Sequence, residues 1–187
     1  NWISTLKNKK KYKNKLIIKI KNLKKIIYFS SFQVYGNYLK HDFISEKTNK
    51  DPKNNYGLSH SINEDLLLYL GKKKNIAIDI IRLTNAYGYP SNKKANCWWL
   101  VANDLCKKYI ETNKIVINSD GTAFRNFIHI DDVSNFIKIL LKKKSEEFNL
   151  YNLSSNETVS IIELAKLIYQ NVDNKPKIYV NKNTEID

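Results

Sequence analysis

Ser30-Ser31-Phe32-Gln33-Val34-Tyr35-Gly36 and Tyr56-Gly57-Leu58-Ser59-His60 bound the stretch whose reading decides the fold. The first block closes the run Lys25-Ile26-Ile27-Tyr28-Phe29, which is β-branched and aromatic with no polar alternation. A strand covered on both faces reads this way, as strands of parallel sheets do. The second block opens a helical pattern in which Leu58, Ile62, Leu66 and Tyr69 form one apolar stripe, with Gly71 placed as its C-cap. Ser31 and Tyr56 lie 25 positions apart, and His60 follows the tyrosine by one helical turn. A hydroxyl, a phenol and an imidazole can therefore converge on one site, a group suited to moving protons to and from a carbonyl. Between the blocks, residues 38–55 are polar and include Pro52, which reads as a surface loop of a length that is often functional.

Outward from this stretch the pattern alternates. Upstream, residues 3–24 carry a lysine-rich run and read as a polar helix feeding a loop. Downstream, Ile76–Arg82 is a second apolar strand, Asn85–Pro90 a turn-rich loop, and 96–111 a helix that places Trp98 and Trp99 in the core. Ile115–Ile117 is a strand ended by Asp120-Gly121, and Phe127–Ile130 leads to a helix capped by Asp131 and Asp132 and running to about Leu141. His129 reads as a packing residue of that short strand. Phe148–Leu153 and Ile178–Val180 are further strands, flanking a helix over 159–172 capped from Thr158. Strands alternating with helices at this spacing predict an α/β fold with a largely parallel sheet flanked by helices. No internal repeat or linker divides the 187 residues, so one continuous unit is the simplest division.

Composition sets outer bounds. Hydrophobic content of 42% and aromatic content of 12% suit a globular chain with a real core. No uncharged apolar run reaches the length of a membrane span, and the start shows no basic leader followed by an apolar core. The formal charge of +14 invites a nucleic-acid reading, yet only Arg82 and Arg125 among the basic residues are not lysine. A phosphate-backbone binder draws on arginine for its bidentate fork, so the charge reads as solvated surface. Cys97 and Cys106 are not a metal-ligand pair, and no metal is expected; two thiols in an ordinary chain point to the reducing cytoplasm. The chain contains no methionine, which suggests residues upstream of Asn1.

Four blocks, in order, carry a resemblance: Ser30-Ser31-x-x-Val34-Tyr35-Gly36; Tyr56-Gly57-x-Ser59; Arg82-Leu83-x-Asn85-x-Tyr87-Gly88; and Asp120-Gly121-x-x-x-Arg125-x-Phe127-Ile128-His129-Ile130-Asp131-Asp132-Val133. They resemble the extended short-chain dehydrogenase/reductase family, the NAD-dependent nucleotide-sugar epimerases, dehydratases and reductases. Four of the five glycines and both arginines fall inside these blocks. The resemblance implies a partial Rossmann-like fold, with residues 1–84 as a second Rossmann half and 85–187 as mixed substrate-lobe and late-strand segments. It implies Tyr56 as acid/base, Ser31 as the hydroxyl that orients the same oxygen, and His60 with Tyr56 at an NAD or NADP ribose. Asn85 and Arg125, with Ser31, would hold the nucleotide-sugar substrate, and Arg82 reads as a structural ion-pair former. A homodimer is implied for the complete enzyme.

Departures from the family pattern narrow the expectation. His60 stands where the family usually has lysine, so a group neutral at pH 7 replaces a cation. Phe32 and Gln33 occupy positions that are acidic in the dehydratase branch, and neither exchanges a proton at neutral pH. Epimerisation or carbonyl reduction is therefore expected over dehydration. Gly36, Gly57, Gly71, Gly88 and Gly121 are too far apart to form the glycine-rich dinucleotide turn, so the first half of the Rossmann sheet is expected outside this chain. The alternative is a non-catalytic or truncated remnant that binds nucleotide sugar or a protein partner.

Overall fold

A computed structural model describes residues 22–37, 43–92, 94–143 and 147–181, and the backbone of Thr184–Ile186. Most of the helix expected over 3–24 lies outside the described residues. The chain divides into two compact units: 1–38, 42–83 and 142–153 form the first, and 39–41, 84–141 and 154–187 the second.

The first unit is built on three parallel strands in the order β1-β2-β6: β1 (Lys25–Ser31), β2 (Ala77–Leu83) and β6 (Phe148–Leu153). Register pairs Tyr28 with Ile80 and Ile80 with Leu150. Central β2 is buried from Ile78 through Arg82, as its apolar run predicts. β1 departs from expectation: it pairs with β2 alone among the described residues, and Phe29 is 45% exposed. Helix α1 (Asn55–Lys74) packs Leu67 onto Ile76, Ile78 and Ile80, with Ile26, Tyr28 and Leu150 around them.

Helix α1 corrects the sequence reading twice. Leu58, Ile62 and Tyr69, three members of the apolar stripe, are 40%, 40% and 60% exposed. The buried face is instead Gly57, Ser61, Glu64, Leu67, Leu70 and Gly71. Small residues let the helix sit close to the sheet, and Glu64 finds charged partners there, so hydrophobicity alone names the wrong face. Gly71 is inside the helix: a Cβ there would stand 2.6 Å from Ile78 Cγ1. The helix runs on to Asn75, whose φ of 53° supplies the left-handed C-cap.

The second unit holds two three-stranded sheets. One orders β3 (Asn85–Tyr87), β5 (Phe124–His129) and β7 (Thr158–Ser160), with β3 parallel and β7 antiparallel to β5. The other orders β4 (Lys114–Ile117), β8 (Lys177–Val180) and β9 (Thr184–Ile186). Its core joins Ile115, Ile117, Ile178 and Val180 to Leu105 of α2 (Val101–Thr112) and to Ile161 and Ala165 of α4 (Ile161–Gln170). Helix α3 (Ile130–Lys142) follows β5 directly.

Several local expectations shift by a few residues, each for a physical reason. Residues 85–87 are a strand because β5 offers them a parallel partner. Trp98 and Trp99 precede α2, and Trp99 is 70% exposed, its indole N–H donating to Asn96 O at 2.9 Å. The first turn of α3 contains Asp131 and Asp132, where their charge suits the helix dipole, but His129 Nδ1 receives the Asp131 N–H. Helix α4 is capped by Ser160 and not Thr158, through a reciprocal pair in which Glu163 N donates to Ser160 Oγ and Ser160 N to Glu163 Oε2.

Candidate active site in the first unit

The end of β1 bends at once into a 3-10 turn, Phe32–Tyr35, capped by Ser31 Oγ, which accepts from Gln33 N at 3.2 Å. Ser31 is buried, and its hydroxyl both closes the turn and keeps a proton to donate. Onto this turn docks the start of α1. A Cβ at Gly57 would stand 2.3 Å from Gln33 O, so only glycine lets the helix backbone come this near. Asn54 fixes the same junction: its Oδ1 caps Gly57 N at 2.8 Å while its Nδ2 donates to Gln33 Oε1 at 2.8 Å. The Ser31 block and the Tyr56 block, distant in sequence, are thus in backbone contact. Gln33 serves this junction with its amide and its carbonyl.

Tyr56, in the first turn of α1, is 56% exposed, and its ring meets the edge of His60 at 4.6 Å between centroids. His60 Nδ1 lies 3.0 Å from Tyr28 Oη on β1. Burial pushes the Tyr28 phenol up to about 12, with an opposing hydrogen bond from Asn63 and a further upward push from Glu64. Beneath this surface, Glu64 accepts from Ser30 Oγ and from Arg82 Nε and Nη2, the last at 2.7 Å. Arg82 also stacks 4.6 Å over Tyr35, whose hydroxyl donates to Asn152 Oδ1 at 2.7 Å. Burial alone would lower the Arg82 pKa, but Glu64 and Tyr35 outweigh it and the net shift is upward. Arg82 is therefore the ion-pair former that its position suggests; Glu64 was missed, although its place one turn beyond His60 on a sheet-facing helix was the available signal.

In the second unit, the β3-β5 register pairs Asn85 with Phe127 and Tyr87 with His129, so alternation puts Asn85, Tyr87, Arg125, Phe127 and His129 on one face. The opposite face carries Asn126 and Ile128, both buried. Asn85 Nδ2 donates to Asn126 O at 2.9 Å, tying its amide to the neighbouring strand. Arg125 is exposed and its Nη1 donates to Phe124 O. A mainly apolar cavity of about 500 Å³ opens where β3 ends, lined among others by Tyr87, Tyr89, Trp98, Cys106, Lys107 and Ile110. Lys107 Nζ sits 5.9 Å from the Trp98 ring, and Asn103 holds the cavity wall by accepting from Gly88 N. Reading Trp98 as core hid this cavity from the sequence. Among the described residues no cluster of His, Cys, Asp or Glu suits a metal ion, and no helix is long and apolar enough to cross a membrane.

Residues 15–154 match the family model of the NAD dependent epimerase/dehydratase family. The chain belongs to that family. Among curated members, it is 29% identical over 159 residues to a dTDP-D-glucose 4,6-dehydratase of Dictyostelium discoideum, covering 78% of this chain and 35% of that one. It is 28% identical over 188 residues to the UDP-glucose 4-epimerase of Mycoplasma genitalium, covering 87% and 55%. Among solved structures, the UDP-glucose 4-epimerase of Thermus thermophilus in complex with NAD superposes with a TM-score of 0.71 at 16% identity, over 86% of this chain and 52% of that one. The family fold is Rossmann-like, with a parallel sheet and flanking helices, and the chain spans roughly a third to a half of its relatives' length.

Proposed function

We propose that this chain is the catalytic and substrate-binding portion of an NAD(P)-dependent enzyme that epimerises or reduces a nucleotide sugar. The observation that carries the reading is the Gly57–Gln33 contact, which brings the helix bearing Tyr56 and His60 onto the turn that Ser31 caps. In this reading the Tyr56 phenol exchanges a proton with a sugar hydroxyl or carbonyl oxygen. Ser31 donates its hydroxyl proton to that oxygen and orients it. Tyr56 and His60 together suit the hydroxyls of a cofactor ribose, whereas the five glycines of this chain supply no cradle for its diphosphate. Bound NAD or NADP supplies the hydride acceptor and donor. Phe32 and Gln33 provide no acid or base, and Gln33 is engaged with Asn54, which favours epimerisation or reduction over dehydration.

Exposed Arg125 is the donor offered to the substrate diphosphate, with Asn85 on the same sheet face. The outward stripe of Leu58, Ile62 and Tyr69 supports a homodimer, since a helix face this apolar gains by being covered. The test is Tyr56→Phe in the protein that carries this chain. Turnover of nucleotide sugar should fall by about 10²–10⁴-fold, the usual worth of a positioned acid/base, with sugar-nucleotide affinity little changed. Equal turnover removes Tyr56 from the mechanism.

A second reading, a remnant that binds nucleotide sugar or a protein partner, is favoured by the scattered glycines together with the aromatic cavity at Tyr87, Tyr89 and Trp98. Calorimetry of the protein that carries this chain separates the two: binding of a UDP- or dTDP-sugar with no response to NADH supports the remnant.

A further inference from the structure

On β1, alternate side chains face α1, and two of them bond to it in step: Tyr28 to His60 and Ser30 to Glu64. Two residues of strand advance about 6.7 Å and four residues of helix about 6 Å, so the two spacings nearly match and both bonds form together. Ser30 and Arg82 hold Glu64, and Glu64 in turn holds the register in which His60 meets Tyr28.

The direction of the Tyr28–His60 bond follows from the acidity of its two ends. A phenol O–H is a far stronger acid than the N–H of a neutral imidazole, so the phenol is the better donor and the ring nitrogen the better acceptor. The phenol has one proton, and burial beside Glu64 keeps it in place. That proton points at Nδ1 of His60, 3.0 Å away, and a nitrogen that accepts cannot also carry hydrogen.

We propose that Tyr28 is a positioning residue for His60: it donates to Nδ1 and so fixes the neutral imidazole as the Nε2–H tautomer. The ring, set edge-on to Tyr56, then presents one donor of fixed direction at the helical position where the family usually has a lysine ammonium. A directed neutral donor replaces a point charge: it holds an acceptor as firmly in place but stabilises a neighbouring phenolate less. Forming the imidazolium requires the Tyr28 hydroxyl to reverse, accept from Nδ1–H and send its own proton elsewhere. The role as positioning residue rests on the function proposed above; the tautomer itself does not.

The experiment is a long-range ¹H–¹⁵N correlation spectrum of the ¹⁵N-labelled 187-residue chain near pH 8, with the His60 signals assigned by their loss in His60→Gln. The expected spectrum has a bare Nδ1 and a protonated Nε2 in one population. In Tyr28→Phe both tautomers should populate, and in the complete protein kcat should fall while KM for nucleotide sugar stays. A parent His60 that is Nδ1–H or mixed overturns the proposal, as does a Tyr28→Phe variant that keeps the pure Nε2–H state. An unchanged kcat alongside a released tautomer also overturns the positioning role. Should Tyr28→Phe not fold, the parent decides alone: a slowly exchanging Tyr28 hydroxyl proton coupled to Nδ1 supports the bond, and a hydroxyl proton coupled to neither ring nitrogen overturns it. A silent Tyr56→Phe with an intact tautomer lock would sink the function while leaving the bond standing.

Discussion

Replacing Glu64 by leucine is the sharpest perturbation of the first unit. Its carboxylate is 2% exposed and accepts from Arg82, 4% exposed, at Nε and Nη2, and from Ser30 Oγ. Glu64→Leu strands a buried guanidinium whose Nη1 has no partner among the described residues. Removing one member of a buried pair costs about 3–5 kcal/mol, and the hydroxyl bond to Ser30 adds about 1 kcal/mol that overlaps with it. At about 2–4 °C per kcal/mol for a chain of this size, Tm should fall by roughly 6–20 °C. Urea unfolding followed by circular dichroism should show a lower midpoint at unchanged slope. The double variant Glu64→Leu/Arg82→Met removes both charges and should recover more than half of the loss. A single-variant loss below about 1 kcal/mol, or a double variant as unstable as the two singles summed, refutes a charge pair at the heart of this unit.

Further outcomes are expected from the same geometry. Gly57→Ala drives a Cβ to within 2.3 Å of Gln33 O, a backbone atom that cannot swing aside; the helix start must shift, at a cost of about 1–3 kcal/mol measurable by thermal unfolding, and an unchanged Tm would contradict the close approach. Tyr28, at about 12 when folded against about 10 when unfolded, binds its proton more tightly in the native state, so its contribution to stability is complete below pH 10 and is lost as pH rises toward 12. Tyr28→Phe should flatten the alkaline fall in stability over that window, and an identical profile would contradict the shift. Burial pushes the Cys106 thiol up, so iodoacetamide should alkylate it more slowly than a free thiol such as glutathione at pH 8, and a faster reaction would mean a thiolate the cavity wall does not account for.

What could be read in advance was what repeats or breaks the chain: the apolar runs of β1, β2 and β6, the turn glycines, and the motif blocks. The meeting of the Ser31 and Tyr56 blocks has a sequence signature, because Gly57 is needed where two backbones touch. The face that α1 buries was illegible, since Ser61 and Glu64 look like solvent-facing residues until Ser30 and Arg82 are placed opposite them. One N–H of the Asn85 amide ties β3 to β5, a bond the sequence does not show, because no local pattern foretells which strand lies beside a three-residue segment. Trp99 shows the converse, an indole that satisfies its N–H locally and stays in solvent. The helix starts of α3 and α4 shifted because His129 and Ser160 sat closer to the first unpaired N–H groups than the residues that composition favours.

The in-step bonding of Tyr28 to His60 and Ser30 to Glu64 has a consequence for how this region can change length. An insertion or deletion between His60 and Glu64 would rotate one of the two helix partners by about 100° away from the strand, so neither bond could be kept without losing the other. The segment before the helix is tied by single contacts instead: Glu46 Oε1 accepts from Asn152 N, Lys50 Nζ reaches Asp65, and Asp51 N donates to Val34 O. The four-residue interval from His60 to Glu64 is thus the rigid ruler of this unit.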